Sequence, residues 1–377
     1  MSRTPGTSRA SKGNKNRRKS RTVTESSQSL DVNAKTPGVR RRGSSAKLED
    51  DGTQMENQKS HAKSKVGSVQ KTVGGDSEYY HKALHDFVME AVKVGPVKLA
   101  ADFTATRLAM PKNLPKTAFL ANPTKNRYKD VFCLDQSIVK LTWPADDPND
   151  YIHANYVPIE DQKKYICTQG PTEKTVIDFW RIIWQEKCKG ILMLTEVMEQ
   201  GKKKCEQYWP TKLGEEAEYG PVKVKVLKIL TPEDHLHCTR LEVSAEDSTL
   251  TVEHMLWKNW PDRGVPKEYL SCFRMIRKMT QYVPVVVHCS AGIGRTGTIV
   301  GLEMMDNKLR KGEVCPLSDI VAELRTHRHG SVQTMFQFLY MHRTLMELAV
   351  NKRVVAKDEL KDFYEKYEVI INKQGAS

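Results

Sequence analysis

His288-Cys289-Ser290-Ala291-Gly292-Ile293-Gly294-Arg295-Thr296-Gly297 is the stretch on which the reading of this chain turns. It follows Val285-Val286-Val287, an apolar β-branched run with the character of a buried strand. It precedes Thr298-Ile299-Val300-Gly301-Leu302-Glu303-Met304-Met305, which reads as a helix. A strand, a tight glycine-rich loop and a helix start together make an anion site. Backbone N–H groups converge in the loop, and the helix start adds positive potential. Into that cradle the chain puts one cysteine and, six residues on, one arginine.

Cys289 reads as a nucleophile, because N–H groups, a helix start and a guanidinium all favour a thiolate over a thiol. Arg295 offers a planar fork of donors that matches two phosphoryl oxygens. The same ring of donors suits a pentacoordinate transition state, whose equatorial oxygens carry the charge. Thr296 is expected to give its hydroxyl to the Cys289 sulfur and make it a better leaving group. His288 reads as a residue that fixes the loop by hydrogen bonding rather than one that passes a proton to substrate. Two plainer readings compete. A cysteine after an apolar strand is usually a small buried hydrophobe. Gly292-Ile293-Gly294-Arg295-Thr296-Gly297 also fits the dinucleotide fingerprint G-x-G-x-x-G. That fingerprint belongs in a first βαβ unit with an acidic residue about 20 positions on, whereas here it lies late in the chain.

These ten residues resemble the signature of the cytosolic-type, tyrosine-specific, cysteine-dependent protein phosphatases, and further marks of that family follow its order over about residues 80–350. The resemblance implies that the amides of Ser290, Ala291, Gly292, Ile293 and Gly294 hold the phosphate. Lys125-Asn126-Arg127-Tyr128-Lys129-Asp130-Val131 resembles the family's substrate-recognition loop. There Tyr128 would line a deep slot and stack on a phenyl ring, and Asp130 would accept from the substrate backbone. Such depth lets phosphotyrosine, but not phosphoserine or phosphothreonine, reach Cys289. Glu199 resembles the glutamate that bridges to the loop arginine, and Lys204 the lysine that contacts the acid-bearing loop. Asn259-Trp260-Pro261-Asp262-Arg263-Gly264-Val265-Pro266 matches the family's mobile acid loop, with Trp260 as a hinge anchor. Asp262 would protonate the leaving phenolate and then act as base toward water. Gln333 would orient that water and Gln337 would support it. His153 stands where the family usually has Asn, a change expected to touch local loop hydrogen bonds only. The implied reaction needs no cofactor and no metal, since Arg295 and the loop amides neutralise the phosphoryl oxygens.

Composition bounds the rest. The chain has 377 residues, 39% of them hydrophobic, and a formal charge of +14. Residues 1–75 hold 17 Lys/Arg against 6 Asp/Glu and no Trp, Tyr or Phe, so eleven of those charges sit in this tail. It lacks hydrophobic periodicity and is expected to be disordered. Its basic clusters, Arg17-Arg18-Lys19 and Arg40-Arg41-Arg42, suit an acidic partner, an anionic membrane surface or nucleic acid, or a plain solvated tail. Ser44 and Ser45 lie where a basophilic kinase would act. Eight scattered cysteines show no CxxC spacing, and there is neither a signal-like segment nor an apolar run of about 18 residues. The expectation is a soluble protein of the cytoplasm, with the nucleus as a second compartment.

The expected fold is α/β: one phosphatase domain over residues 79–350, with a highly twisted mixed central sheet flanked by helices. Strands are expected around 138–141, 150–157, 165–168, 191–195, 222–229, 239–243 and 250–256. The loop from Ala121 should run into a strand near Val131, Thr172 should cap the helix holding Phe179 and Trp180, and Ser318 or Asp319 should cap the helix from Ile320. Residues 351–377 read as a helix that either packs on the domain or awaits a partner. Hydrolysis of phosphotyrosine in proteins is the function implied. The alternatives are a catalytically silent phosphotyrosine-binding module and a phosphatase for lipid or serine/threonine phosphates.

Overall fold

A computed structural model describes residues 77–372, apart from 109–112, 161 and 262. The expected disordered tail, its basic clusters and Ser44 and Ser45 lie outside the described residues.

The Ser77 side chain accepts from the Tyr80 amide and caps α1 (Glu78–Val94); such a cap is worth about 1 kcal/mol. Ala83, Leu84, Phe87 and Val88 form the buried face of α1, which packs on α6 (Gly294–Arg310) and α8 (Met335–Asn351). α2 (Pro96–Leu108) follows. The segment after it corrects one expectation, because no strand forms near Val131. Instead α3 (Thr117–Ala121) and a 3-10 turn at Pro123–Lys125 lead into an irregular loop. Pro123 and the polar run behind it favour turns over pairing.

The sheet is assembled from β1 (Ile138–Lys140), β2 (Tyr151–Ile159), β3 (Gln162–Thr168), β4 (Gly190–Met193), β7 (Glu216–Tyr219), β8 (Val222–Glu233), β9 (Leu236–Ala245), β10 (Ser248–Trp257) and β11 (Val285–His288). Between β4 and β7 lies a separate small ribbon of β5 (Met198–Glu199) and β6 (Lys202–Lys203). Among the described residues the nine-stranded order is β1-β2-β3-β11-β4-β10-β9-β8-β7. β11 runs parallel to β3 and β4, and β4 parallel to β10, while the flanking pairs are antiparallel. The expected mixed sheet is therefore present.

Alternation along the central strands explains their composition. Val285 and Val287 face one apolar cluster, which they share with Tyr165, Cys167 and Leu192; Val286 faces another with Ile166, Ile191 and Met193. A parallel centre covered on both faces needs apolar side chains at every position, which is why 285–287 shows no polar alternation. The first cluster takes in α1, α6 and α8, together with α5 (Tyr269–Met279), α7 (Leu317–His327) and α9 (Lys361–Asn372); the second takes in α4 (Val176–Gln185).

Two caps differ from expectation. Thr175, not Thr172, is the N-cap residue of α4, and the Thr175 hydroxyl accepts from the Thr172 amide at 2.9 Å. α7 starts at Leu317 behind Pro316, so Ser318 and Asp319 fall inside its first turn. The carboxy-terminal helix packs: Leu360, Phe363 and Tyr367 are buried against α2 and α8.

Candidate active site

β11 ends at the middle of the sheet, and its last residue hands the chain to the loop. The His288 carbonyl accepts from the Leu194 amide at 2.8 Å, and the Ser290 carbonyl from the Gly170 amide at 2.9 Å. The turns after β4 and β3 thus grip the loop from either side. α6 starts at Gly294, so the helix N-terminus points back at the loop.

Within the loop, the Gly292 amide donates to Cys289 Sγ at 3.2 Å. Gly292 has φ +71°, and a Cβ there would meet the Thr168 carbonyl oxygen at 2.0 Å; only glycine fits both constraints. Gly170 is similarly confined, 2.8 Å from the Cys289 carbonyl oxygen by the same construction. Arg295 is buried and donates to Glu199 Oε1 at 2.5 Å, Glu199 Oε2 at 2.8 Å and the Leu194 carbonyl at 2.9 Å. Burial raises the Glu199 carboxyl, but the Arg295 hydrogen bonds and charge outweigh it and hold the group below its ordinary value. The bidentate pair fixes the plane of the guanidinium.

His288 is buried, with Nδ1 donating to the Cys289 carbonyl at 3.1 Å and Nε2 2.8 Å from the Tyr208 hydroxyl, which also meets His254 at 2.8 Å. Burial pulls His288 down to about 4 and His254 to about 3. A neutral, doubly bonded ring suits a role in fixing the loop. Thr296 departs from expectation: its buried hydroxyl makes no hydrogen bond, so the bond to the Cys289 sulfur is not formed. Thr296 lies within the first turn of α6, where the backbone fixes the direction of its side chain.

Cys289 lines a cleft of about 530 Å³ together with Tyr128, Asp130, Lys204, Arg295, Gln333 and Gln337. Ser290, Ala291 and Gly294 also line it; Ile293 is buried behind and precedes α6. The Tyr128 hydroxyl is 2.8 Å from Ser290 Oγ, which donates to the Lys204 carbonyl at 3.0 Å. Gln333 lies just before α8. Gln337 is buried and caps: its Oε1 accepts from the amides of Gln333 (2.9 Å) and Thr334 (3.3 Å). Trp260 is buried against Trp257 and Tyr340, with Nε1 donating to the Gly264 carbonyl at 3.2 Å. Asp262 lies outside the described residues. Its neighbour Arg263 offers a carbonyl to the Thr334 hydroxyl at 3.2 Å, joining that loop to the start of α8.

Sequence reasoning passed over a set of supports behind the loop. Arg328 is fully buried; it donates to the Gly292 carbonyl at 3.0 Å, the Ala291 carbonyl at 3.1 Å and Asn155 Oδ1 at 2.7 Å. It also donates to His153 Nδ1 at 3.1 Å, while His153 Nε2 donates to the Val131 carbonyl at 2.9 Å. His153, expected to touch local loop hydrogen bonds, makes them through the arginine that holds the phosphate loop. Arg127 anchors the Tyr128 loop on the Gly170 and Pro171 carbonyls at 2.9 and 2.6 Å. The only signal in the sequence was composition: arginines flanked by ring-bearing or turn residues, in His327-Arg328-His329-Gly330 and Asn126-Arg127-Tyr128.

The strand-loop-helix cradle thus brings a cysteine sulfur, a guanidinium clamped by Glu199 and a tyrosine together in one cleft. The family model described as protein-tyrosine phosphatase matches residues 122–347. The chain belongs to the protein-tyrosine phosphatase family. Human tyrosine-protein phosphatase non-receptor type 12 is 38% identical over 239 residues, covering 60% of this chain and 30% of that protein. Human non-receptor type 7 is 36% identical over 264 residues, covering 66% of this chain and 71% of that protein. The solved catalytic domain of human non-receptor type 18 superposes with a TM-score of 0.65 at 29% identity, over 71% of this phosphatase-family chain and 99% of that one; type 18 has also been solved with HER2 phosphopeptides. The chain spans less than a third of the length of the first curated relatives it matches. No helix among the described residues is long and apolar enough to cross a membrane.

Proposed function

We propose that this phosphatase-family chain hydrolyses phosphotyrosine in proteins through a cysteinyl-phosphate intermediate. The observation that carries the reading is the Gly292 amide on Cys289 Sγ, in the cleft that an Arg295 guanidinium already clamped by Glu199 also lines. Cys289 Sγ attacks phosphorus in line as the bond to the tyrosine oxygen breaks, and Asp262 delivers a proton to that oxygen. Water placed by Gln333 then attacks phosphorus, the S–P bond breaks, and Asp262 takes the water's proton. Arg295 and the amides of residues 290–294 bear the charge on the equatorial oxygens throughout. His288 positions the loop, Trp260 anchors the acid loop, and Lys204 contacts it.

The reading of selectivity for tyrosine is supported by Tyr128 and Asp130, which both line the cleft. Likeness to the type 18 enzyme, solved with HER2 phosphopeptides, supports a phosphopeptide as the ligand. Likeness to the non-receptor phosphatases supports action in the cytoplasm, with nuclear entry as a further part of the proposal. Imaging of the full chain against one lacking residues 1–75 tests that part.

Quenched-flow hydrolysis of a generic aryl phosphate tests the chemistry. The expected result is a stoichiometric burst of phenol followed by slower phosphate release, with the fast phase lost in Asp262→Ala. A folded wild type with no turnover would instead indicate a silent phosphotyrosine-binding module.

A further inference from the structure

A second cleft, of about 310 Å³, opens between the end of α1, α2, the loop before α7 and α8. Its described lining residues include none that line the cleft of Cys289. Phe87, Ala91, Leu99, Val314, Leu317 and Phe338 give it apolar walls. One polar ring stands among them. His342 lines the cleft yet is only 2% exposed, its ring stacked on Phe87 at 5.7 Å between centroids and met edge-on by Phe338 at 4.8 Å. Burial pulls this ring down to about 4, so it is neutral at pH 7. Its Nδ1 donates to the Phe338 carbonyl at 3.1 Å, which fixes the tautomer and puts a lone pair on Nε2. No described residue hydrogen-bonds to Nε2. A buried acceptor left open costs free energy, and this one borders a cleft. The charged groups of the lining are Glu90 and Asp102, with no Lys or Arg among the described lining residues. Glu90 pairs with Lys93 and Asp102 with Lys98, each along its own helix, in exposed contacts of little strength.

We propose that this cleft binds a small aromatic molecule that carries one ring N–H or O–H and no negative charge. The proposal goes beyond the phosphatase reading and stands without it. The volume and the apolar walls suit a ligand the size of indole, and the rings of Phe87 and Phe338 favour a flat aromatic partner. His342 Nε2 accepts the single donor. An analogue without that donor leaves the acceptor unpaired, which is how a pocket with one buried polar group discriminates. Glu90 and Asp102 set the cleft against an acid.

Indole, 1-methylindole and indole-3-acetate are titrated into the full chain by ligand-observed NMR at low salt. Indole should bind about five- to tenfold more tightly than 1-methylindole, which keeps the rings but lacks the N–H. Indole-3-acetate should bind more weakly than indole, and added salt should narrow that gap. His342→Phe keeps a ring and removes the acceptor, so it should bring indole down to the level of 1-methylindole. Val314 is about half exposed, so Val314→Lys leaves the core alone; it should strengthen indole-3-acetate relative to indole. Saturating inorganic phosphate, directed at the Cys289 cleft, should leave indole binding unchanged. No binding of indole at about 5 mM, equal binding of indole and 1-methylindole, a preference that survives His342→Phe, or displacement of indole by phosphate would overturn the proposal. If His342→Phe fails to fold, the Val314→Lys chain decides, and indole-3-acetate binding unmoved by that change would overturn it too.

Discussion

Gly292 brings its amide to the Cys289 sulfur from a backbone conformation that side chains resist, against the carbonyl of Thr168. Gly292→Ala therefore has no cheap relaxation, because the obstructing atom is main chain of β3. It should cost more than about 2 kcal/mol in a urea melt, combining backbone strain with overpacking, and aryl phosphate turnover should fall with it. Glu199 is a different case, since it touches no substrate and acts by holding Arg295. Glu199→Gln keeps the shape, removes the charge and loosens the fork, and a guanidinium misplaced by about 1 Å costs on the order of 10²-fold. The expected outcome is a fall of that size in kcat/KM with little change in melting temperature; an unchanged kcat/KM would contradict the clamp. Residues such as Cys289, Arg295 and Gly292 were legible in the sequence because their chemistry is local to one loop. Arg328 was not, because its partners lie 36 residues away at Gly292 and 175 away at His153.

At the scale of elements, the strands were legible where burial was one-sided or complete, as in β8 to β10 and β11. Caps were less so, because Thr172 and Thr175 carry the same chemistry and only the packing of α4 decides between them. The hairpin of β5 and β6 was hidden in a run of glycine and lysines that looks like solvated loop. The carboxy-terminal helix was legible as a helix, though not in its destination. α9 buries Phe363 and Tyr367 along with Leu360 just before it, and Arg343 lies 3.3 Å above the Tyr364 ring. Each large apolar side chain so buried is worth about 1.5–3 kcal/mol. Ending the chain after Arg353 should therefore lower stability by several kcal/mol in denaturant melts and expose surface that binds a hydrophobic dye. A truncated chain that melts like the full one would show that α9 contributes nothing to the fold.

The whole molecule carries an acid sensitivity that no single element reveals. Burial lowers His153 and His254 to about 3 and His288 and His342 to about 4, all below the ordinary value near 6.5. The unfolded chain binds these protons first, so stability is untouched above about pH 6.5 and falls as pH drops from there toward 4. Each such group contributes a slope of up to about 1.4 kcal/mol per pH unit. Chemical denaturation at pH 7, 6 and 5 should show that decline, and His342→Gln, away from the phosphate loop, should flatten it by one group's share. A slope unchanged in His342→Gln would mean that this ring does not stay neutral in the fold. The order of the sheet bears on how the chain is made. β11 sits between β3 and β4 yet is synthesised more than a hundred residues after β3 and about ninety after β4. Until it emerges, the nascent chain can build only two partial sheets, β1-β2-β3 and β4-β10-β9-β8-β7, each with an open parallel edge facing a slot of one strand's width. The segment that closes the slot is also the one that delivers Cys289. On the ribosome, therefore, completion of the sheet and arrival of the nucleophile are a single event, and a chain released early presents sticky edges without any phosphate site.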